Sequence, residues 1–161
     1  MKMTFIDKEP VKRVEKIIKK FDENLSVSVL KTSARTALEA ASSLNCDVGA
    51  IVKSLLFKTD NKFCLFLIAG DKKASLKKIK KNIKFSDVSM ASAEEVKSIT
   101  GYTIGGVSPV GHINDVDIYI DNSLERFNFL FAAAGHPNCI FKISFLNLKK
   151  ITKGVIEDII E

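Results

Sequence analysis

Two apolar segments with a short polar break between them constrain this chain most. Gly49 to Thr59 and Phe63 to Ala69 are both dense in Val, Ile, Leu, Phe and Ala, and the break falls at Thr59-Asp60-Asn61-Lys62. Runs of that length and composition read as strands, and so short a connection makes them a hairpin. Around this pair, strand and helix signals do not alternate strictly. A doubly wound parallel sheet is therefore disfavoured, and the pattern predicts an α/β (α+β) chain with a mixed, largely antiparallel sheet and helices packed on it.

The flanking elements follow from periodicity and caps. Pro10 stands at a first helical position, after Asp7 and Glu9. Val11, Val14, Ile17 or Ile18, and Phe21 then recur at helical spacing among Lys12, Arg13, Lys16, Lys19 and Lys20, which predicts an amphipathic basic helix. Ser26 to Lys31 alternates as a short strand. Thr32 or Ser33 can cap a second helix through Ser43, ended by Asn45-Cys46-Asp47. Lys72 to Lys84 reads as a lysine-dense helix with Leu76, Ile79 and Ile83 as its buried stripe, and Phe85 to Met90 as a short strand. Ser92-Ala93-Glu94-Glu95 is a capping box opening a helix to about Ile99. Val116 to Ile120 is a strand ending at Asp121-Asn122, and Ser123 to Phe127 a turn of helix. Phe129 to Ala134 and Cys139 to Ile143 flank Gly135-His136-Pro137-Asn138 as a second hairpin. Ser144 can cap a helix through Lys150, and Val155 to Ile160 reads as a last helical turn.

Two features point to chemistry. Gly101 to Gly111 holds four of the eight glycines and one of the three prolines. Such a loop presents backbone N–H and C=O groups in a fixed arrangement, with Ser108 adding a hydroxyl. It is either the rim of a site or a tight turn between strands. The second feature is Lys53. Period two places it on the face of Ile51, Leu55 and Phe57. A lysine there is costly unless its ammonium reaches an anion or a polar cavity, where a fixed cation can hold a phosphate or a developing oxyanion. On an edge strand it would instead extend to water.

Cys46 to Phe57, with its lysine, resembles the lysine-bearing strand of the YbaK/prolyl-tRNA synthetase-associated editing-domain family. Gly105-Gly106-Val107-Ser108-Pro109-Val110-Gly111 resembles that family's Gly-Gly-x-Ser-Pro-x-Gly loop. Ile120 to Leu124, Ala132 to Asn138 and Phe141 to Thr152 resemble its C-terminal part, so the similarity runs from about Ser26 to Thr152. The resemblance implies a twisted or barrel-like sheet with surrounding helices, and an activity: hydrolysis of the ester between a wrong small amino acid and the terminal adenosine of tRNA. It implies that Lys53 holds the 3′-terminal phosphate or ribose region, and that the backbone from Gly105 to Gly111 grips the aminoacyl group. Lys53, Gly106, Ser108 and Gly111 then form the catalytic set. Val107, Pro109, Asp121, Gly135, His136 and Pro137 form the substrate-binding set. The partners implied are aminoacyl-tRNA, through its 3′ end and acceptor stem, and an aminoacyl-tRNA synthetase, with no membrane, DNA, metal or cofactor. A non-catalytic module of the same fold, binding tRNA or a synthetase, is the alternative.

The totals agree with this picture. At 161 residues, 46% apolar and 27% charged, residues 1–161 are expected to form one domain. No apolar run approaches the ~20 residues of a membrane span, and Met1 to Pro10 lacks a signal-peptide core. Cys46, Cys64 and Cys139 are odd in number and far apart, which favours buried free thiols in a reducing cytoplasm. His112 and His136 lack a third ligand, so no zinc site is expected. The net charge of +6 permits an RNA partner. Lys72, Lys73, Lys77, Lys78, Lys80, Lys81 and Lys84 could track acceptor-stem phosphates or form a solvated helix face.

Overall fold

The structure is a computed structural model and describes residues 4–32 and 34–161. Among these, five α-helices surround two sheets. The helices are α1 (Glu9–Phe21), α2 (Ala37–Leu44), α3 (Leu76–Ile83), α4 (Ala93–Thr100) and α5 (Phe145–Thr152). The strands are β1 (Val27–Val29), β2 (Val52–Thr59), β3 (Lys62–Ala69), β4 (Val88–Met90), β5 (Asp117–Asp121), β6 (Leu130–Ala133), β7 (Cys139–Ile143) and β8 (Val155–Glu157). One sheet has the order β4-β2-β3-β5-β8 and the other β1-β7-β6. The mixed character is as expected: β3 with β5 and β5 with β8 are parallel, and the other pairs are antiparallel. The sheets stay open and do not close into a barrel.

Both hairpins form. Thr59 pairs with Lys62 and Val52 with Ala69, and the turn residue Asp60 accepts the N–H groups of Ser86 and Asp87 at 3.0 and 2.8 Å. Strand β3 is apolar on both faces because both are covered. Leu65, Leu67 and Ala69 face the core shared with β6, β7 and Val11, Val14 and Ile18 of α1. Cys64, Phe66 and Ile68 face a second core with Ile79 of α3, Ile159 and Ile160. Each buried Leu, Ile or Phe contributes ~1.5–3 kcal/mol, so β3 anchors the strand that carries Lys53.

Several boundaries differ from the sequence expectation. Helix α2 starts later: Thr36 caps it, accepting the Glu39 N–H at 3.1 Å. Thr32 instead bonds Ser43 at 3.0 Å, and Ser33 lies outside the described residues. Val48–Ala50 is a 3-10 turn, so β2 begins at Val52. Helix α3 is shorter than Lys72 to Lys84, since Ser75 caps it through the Lys78 N–H. Val155 to Ile160 is not helical. Val155, Ile156 and Glu157 pair with Tyr119, Ile120 and Asp121, because an exposed edge of β5 satisfies their backbone and suits the β-branched side chains.

Candidate active site

A cavity of about 490 Å³ opens where β2 loses its neighbour. Strand β4 pairs only with Phe57–Thr59, so it does not extend along the N-terminal half of β2. Val52 to Leu56 form one wall. Ala34 to Leu38 before and at the start of α2, Met90, Ala91 and Val96 around β4 and α4, Ile104, Gly105 and Val107 of the glycine loop, and Phe131 to Ala133 of β6 form the others. The wall is mostly apolar. Its ionisable side chains, among the described residues, are Lys53, Arg35 and Cys139. Cys139 is fully buried, and burial pushes its thiol up to about 11, so it stays protonated.

Lys53 is half-buried, and its Nζ donates to the carbonyl of Lys72, just beyond the end of β3. An ammonium has three donors, so two remain for a ligand. Burial lowers its pKa, Asp71 opposes that shift and Lys73 adds to it. Asp71 is itself held by Arg126, at 2.9 and 3.2 Å. Among the described residues, Lys53 makes no ion pair of its own. A desolvated cation so placed strengthens any interaction with developing negative charge.

The glycine loop is fixed from behind. Tyr102 is buried, and its hydroxyl reaches the carbonyls of Val110 and Gly111 at 2.7 and 3.1 Å. Arg13 of α1 donates to the Gly111 carbonyl at 2.8 Å and lies 5.0 Å from the Tyr102 ring. Gly106 lets the loop meet the turn after β6: a Cβ there would stand 2.9 Å from the His136 Cα.

Residues 31–151 match the model of the aminoacyl-tRNA editing domain. The chain belongs to that family. It is 35% identical over 119 residues to the uncharacterised protein YwhH of Bacillus subtilis, covering 73% of this chain and 75% of that one. It is 33% identical over 148 residues to a proline–tRNA ligase of Caldicellulosiruptor saccharolyticus, covering 90% of this chain and 24% of the ligase. The chain spans about a quarter of the length of such ligases. A crystal structure described as that of a candidate trans-editing enzyme for prolyl tRNA synthetase superposes with a TM-score of 0.89 at 34% identity, covering 96% of this chain and 98% of that one.

Within this editing domain, the structure brings Lys53, Val107 and Pro137 to the cavity wall, and His136 and Pro137 to a second hollow beside it. The other expected site residues shape the site from outside. Ser108 is fully buried, its hydroxyl accepting the Val110 N–H at 3.3 Å and its carbonyl 2.7 Å from His112 Nε2. Gly106 donates its N–H to Thr103 at 2.9 Å, Pro109 is buried, and Gly111 takes the Arg13 and Tyr102 bonds. Asp121 is buried away from the wall. It accepts from the Ser123 N–H and hydroxyl and from the Ile159 N–H at 2.9 Å, so both oxygens serve the fold. Gly135 gives α1 room, since a Cβ there would stand 2.9 Å from Pro10.

Lys73, Lys77, Lys80 and Lys81 are exposed, Lys78 pairs with Asp158 at 3.0 Å, and Lys72 contributes its carbonyl to Lys53. Cys46 is partly exposed rather than buried. Arg35, Leu38, Met90 and Ile104 were not legible as site residues, because only the folded chain carries them to one mouth. No helix among the described residues is long and apolar enough to cross a membrane.

Proposed function

We propose that the chain, acting as one domain over residues 1–161, is a trans-acting aminoacyl-tRNA deacylase. It hydrolyses the ester of a small amino acid such as alanine, cysteine, serine or threonine on a non-cognate tRNA such as tRNA-Pro. The observation that carries this reading is the cavity itself: an apolar chamber with one desolvated, unpaired lysine and no carboxylate or histidine in its described wall. Near-complete overlap with the trans-editing candidate supports action apart from a synthetase.

The chemistry follows from that composition. With no side-chain base at the wall, the nucleophile is water or a hydroxyl or thiol of the substrate. Lys53, with two free donors, holds the terminal ribose and the ester and stabilises the negative charge that forms on attack. Gly105 and Val107 bring backbone to the aminoacyl group. A chamber of fixed size supplies the second selection a synthetase needs, since one methylene gives it only ~1–3 kcal/mol. The exposed lysines of α3 add salt-dependent attraction to the acceptor stem.

Deacylation of tRNA-Pro carrying Ala, Ser, Thr or Cys, alongside correctly paired aminoacyl-tRNAs, tests this. Turnover of one or a few mispaired species is expected. Bound tRNA with no turnover across the panel would contradict hydrolysis and leave a binding module.

A further inference from the structure

A second hollow of about 450 Å³ adjoins the cavity, lined by Arg35, Thr103, Ile104, His136, Pro137 and Asn138. Arg35, Ile104 and Pro137 belong to both spaces, so the two meet along one ridge. Their chemistry differs. The cavity is largely apolar, whereas among the described residues most of the hollow's side chains are polar and none is acidic. Arg35 is exposed and takes part in none of the ion pairs found among the described residues. His136 Nδ1 accepts the Asn138 N–H at 3.0 Å. In the neutral ring the proton is then on Nε2, which is a donor. Burial lowers the basicity of His136 most, and the positive charges of Lys8 and Arg35 lower it further.

We propose that this hollow is a phosphate subsite: it holds the phosphodiester on the 5′ side of the terminal nucleoside, with Arg35 as its cation. The inference rests on the ester-cleaving reading of the adjoining cavity. An amino acid on tRNA is esterified to a ribose 2′ or 3′ oxygen, and the nearest phosphate hangs from the 5′ carbon of the same sugar. With the aminoacyl group in the cavity, the sugar crosses the ridge and its phosphate enters the next space. Ile104 and Pro137 offer apolar contact to the sugar. Arg35 offers a planar fork matched to two phosphate oxygens, and His136 Nε2 and the Thr103 hydroxyl are further donors. Lys53 is then left for the ester itself.

The test compares wild type, Arg35→Gln and Arg35→Lys on three substrates. These are aminoacyl-tRNA, 3′-aminoacyl-adenosine 5′-phosphate and 3′-aminoacyl-adenosine. Arg35 is exposed, so both variants are expected to fold. Arg35→Gln raises KM about tenfold more for the two phosphorylated substrates than for the nucleoside ester, and Arg35→Lys restores part of the difference. In uncharged-tRNA binding, the slope of log affinity against log salt falls by about 0.7 in Arg35→Gln, as for one single-strand phosphate contact. An Arg35→Gln effect equal on all three substrates, or an unchanged salt slope, overturns the phosphate site. Wild type that cleaves none of the three contradicts the ester-cleaving reading instead, and the salt slope still decides the phosphate contact.

Discussion

Gly135→Ala combines two penalties at one position, and Gly105→Ala isolates the first. Both glycines have positive φ, +93° and +95°. An L residue in the left-handed region costs roughly 1–2 kcal/mol. At Gly105 nothing else among the described residues opposes a methyl group, since the nearest heavy atom, Pro137 Cγ, would lie 3.6 Å away. At Gly135 the Cβ would stand 2.9 Å from the carbonyl carbon and oxygen of Pro10 and 3.1 Å from the Val11 nitrogen. Those are backbone atoms at the start of α1, whose Val11 and Val14 are fully buried. The helix must move, and overpacking of this kind adds ~1–3 kcal/mol. The expected losses are therefore ~1–2 kcal/mol for Gly105→Ala and ~2–5 kcal/mol for Gly135→Ala. For a chain of this length these correspond to Tm decreases of about 2–8 °C and about 4–20 °C. Thermal unfolding followed by circular dichroism reads both. Equal shifts in the two variants would refute the claim that α1 and the turn after β6 are in rigid contact.

Tyr102→Phe leaves the Val110 carbonyl without its 2.7 Å bond in a buried site, so a loss of ~1–3 kcal/mol is expected by denaturant titration. The double variant with Arg13→Gln should depart from additivity by ~0.5 kcal/mol or more, because both side chains hold Gly111. His112 is kept less basic than usual by burial, a shift its Ser108 contact opposes and Arg13 extends. Its contribution to stability is intact above the ordinary histidine value, about 6.5, and lost as pH falls through the lower folded value. His112→Gln should flatten the fall in Tm between about pH 7 and 5. Asp121→Ala removes the acceptor for Ser123 and Ile159, and should cost ~1.5–3 kcal/mol per lost charged bond in thermal unfolding.

The elements fixed by local chemistry were readable in advance. The capping box at Ser92 forms with both of its bonds, and both hairpins stand where polar turns interrupt apolar runs. What local pattern could not give was set by distant partners. Val155 to Glu157 form a strand because β5 offers them an edge, and Lys72 and Lys73 leave the helix because Ser75 caps it. Within the site, Lys53 declared itself as a charge on an apolar strand. Ser108 and Asp121 entered the expected site through the resemblance, yet their polar atoms are used by the loop and by the chain end. Arg35 gave no local signal, since the ridge it shares with Ile104 and Pro137 is built by three separate segments.

The central claim is that Lys53 is the cation at which an aminoacyl ester is cleaved. Single-turnover deacylation of a mischarged tRNA by wild type and Lys53→Ala tests it most directly, with tRNA affinity measured in parallel. The account predicts a rate for Lys53→Ala lower by about a hundredfold or more, with the variant still folded and still binding tRNA. Equal rates in the two proteins would contradict it.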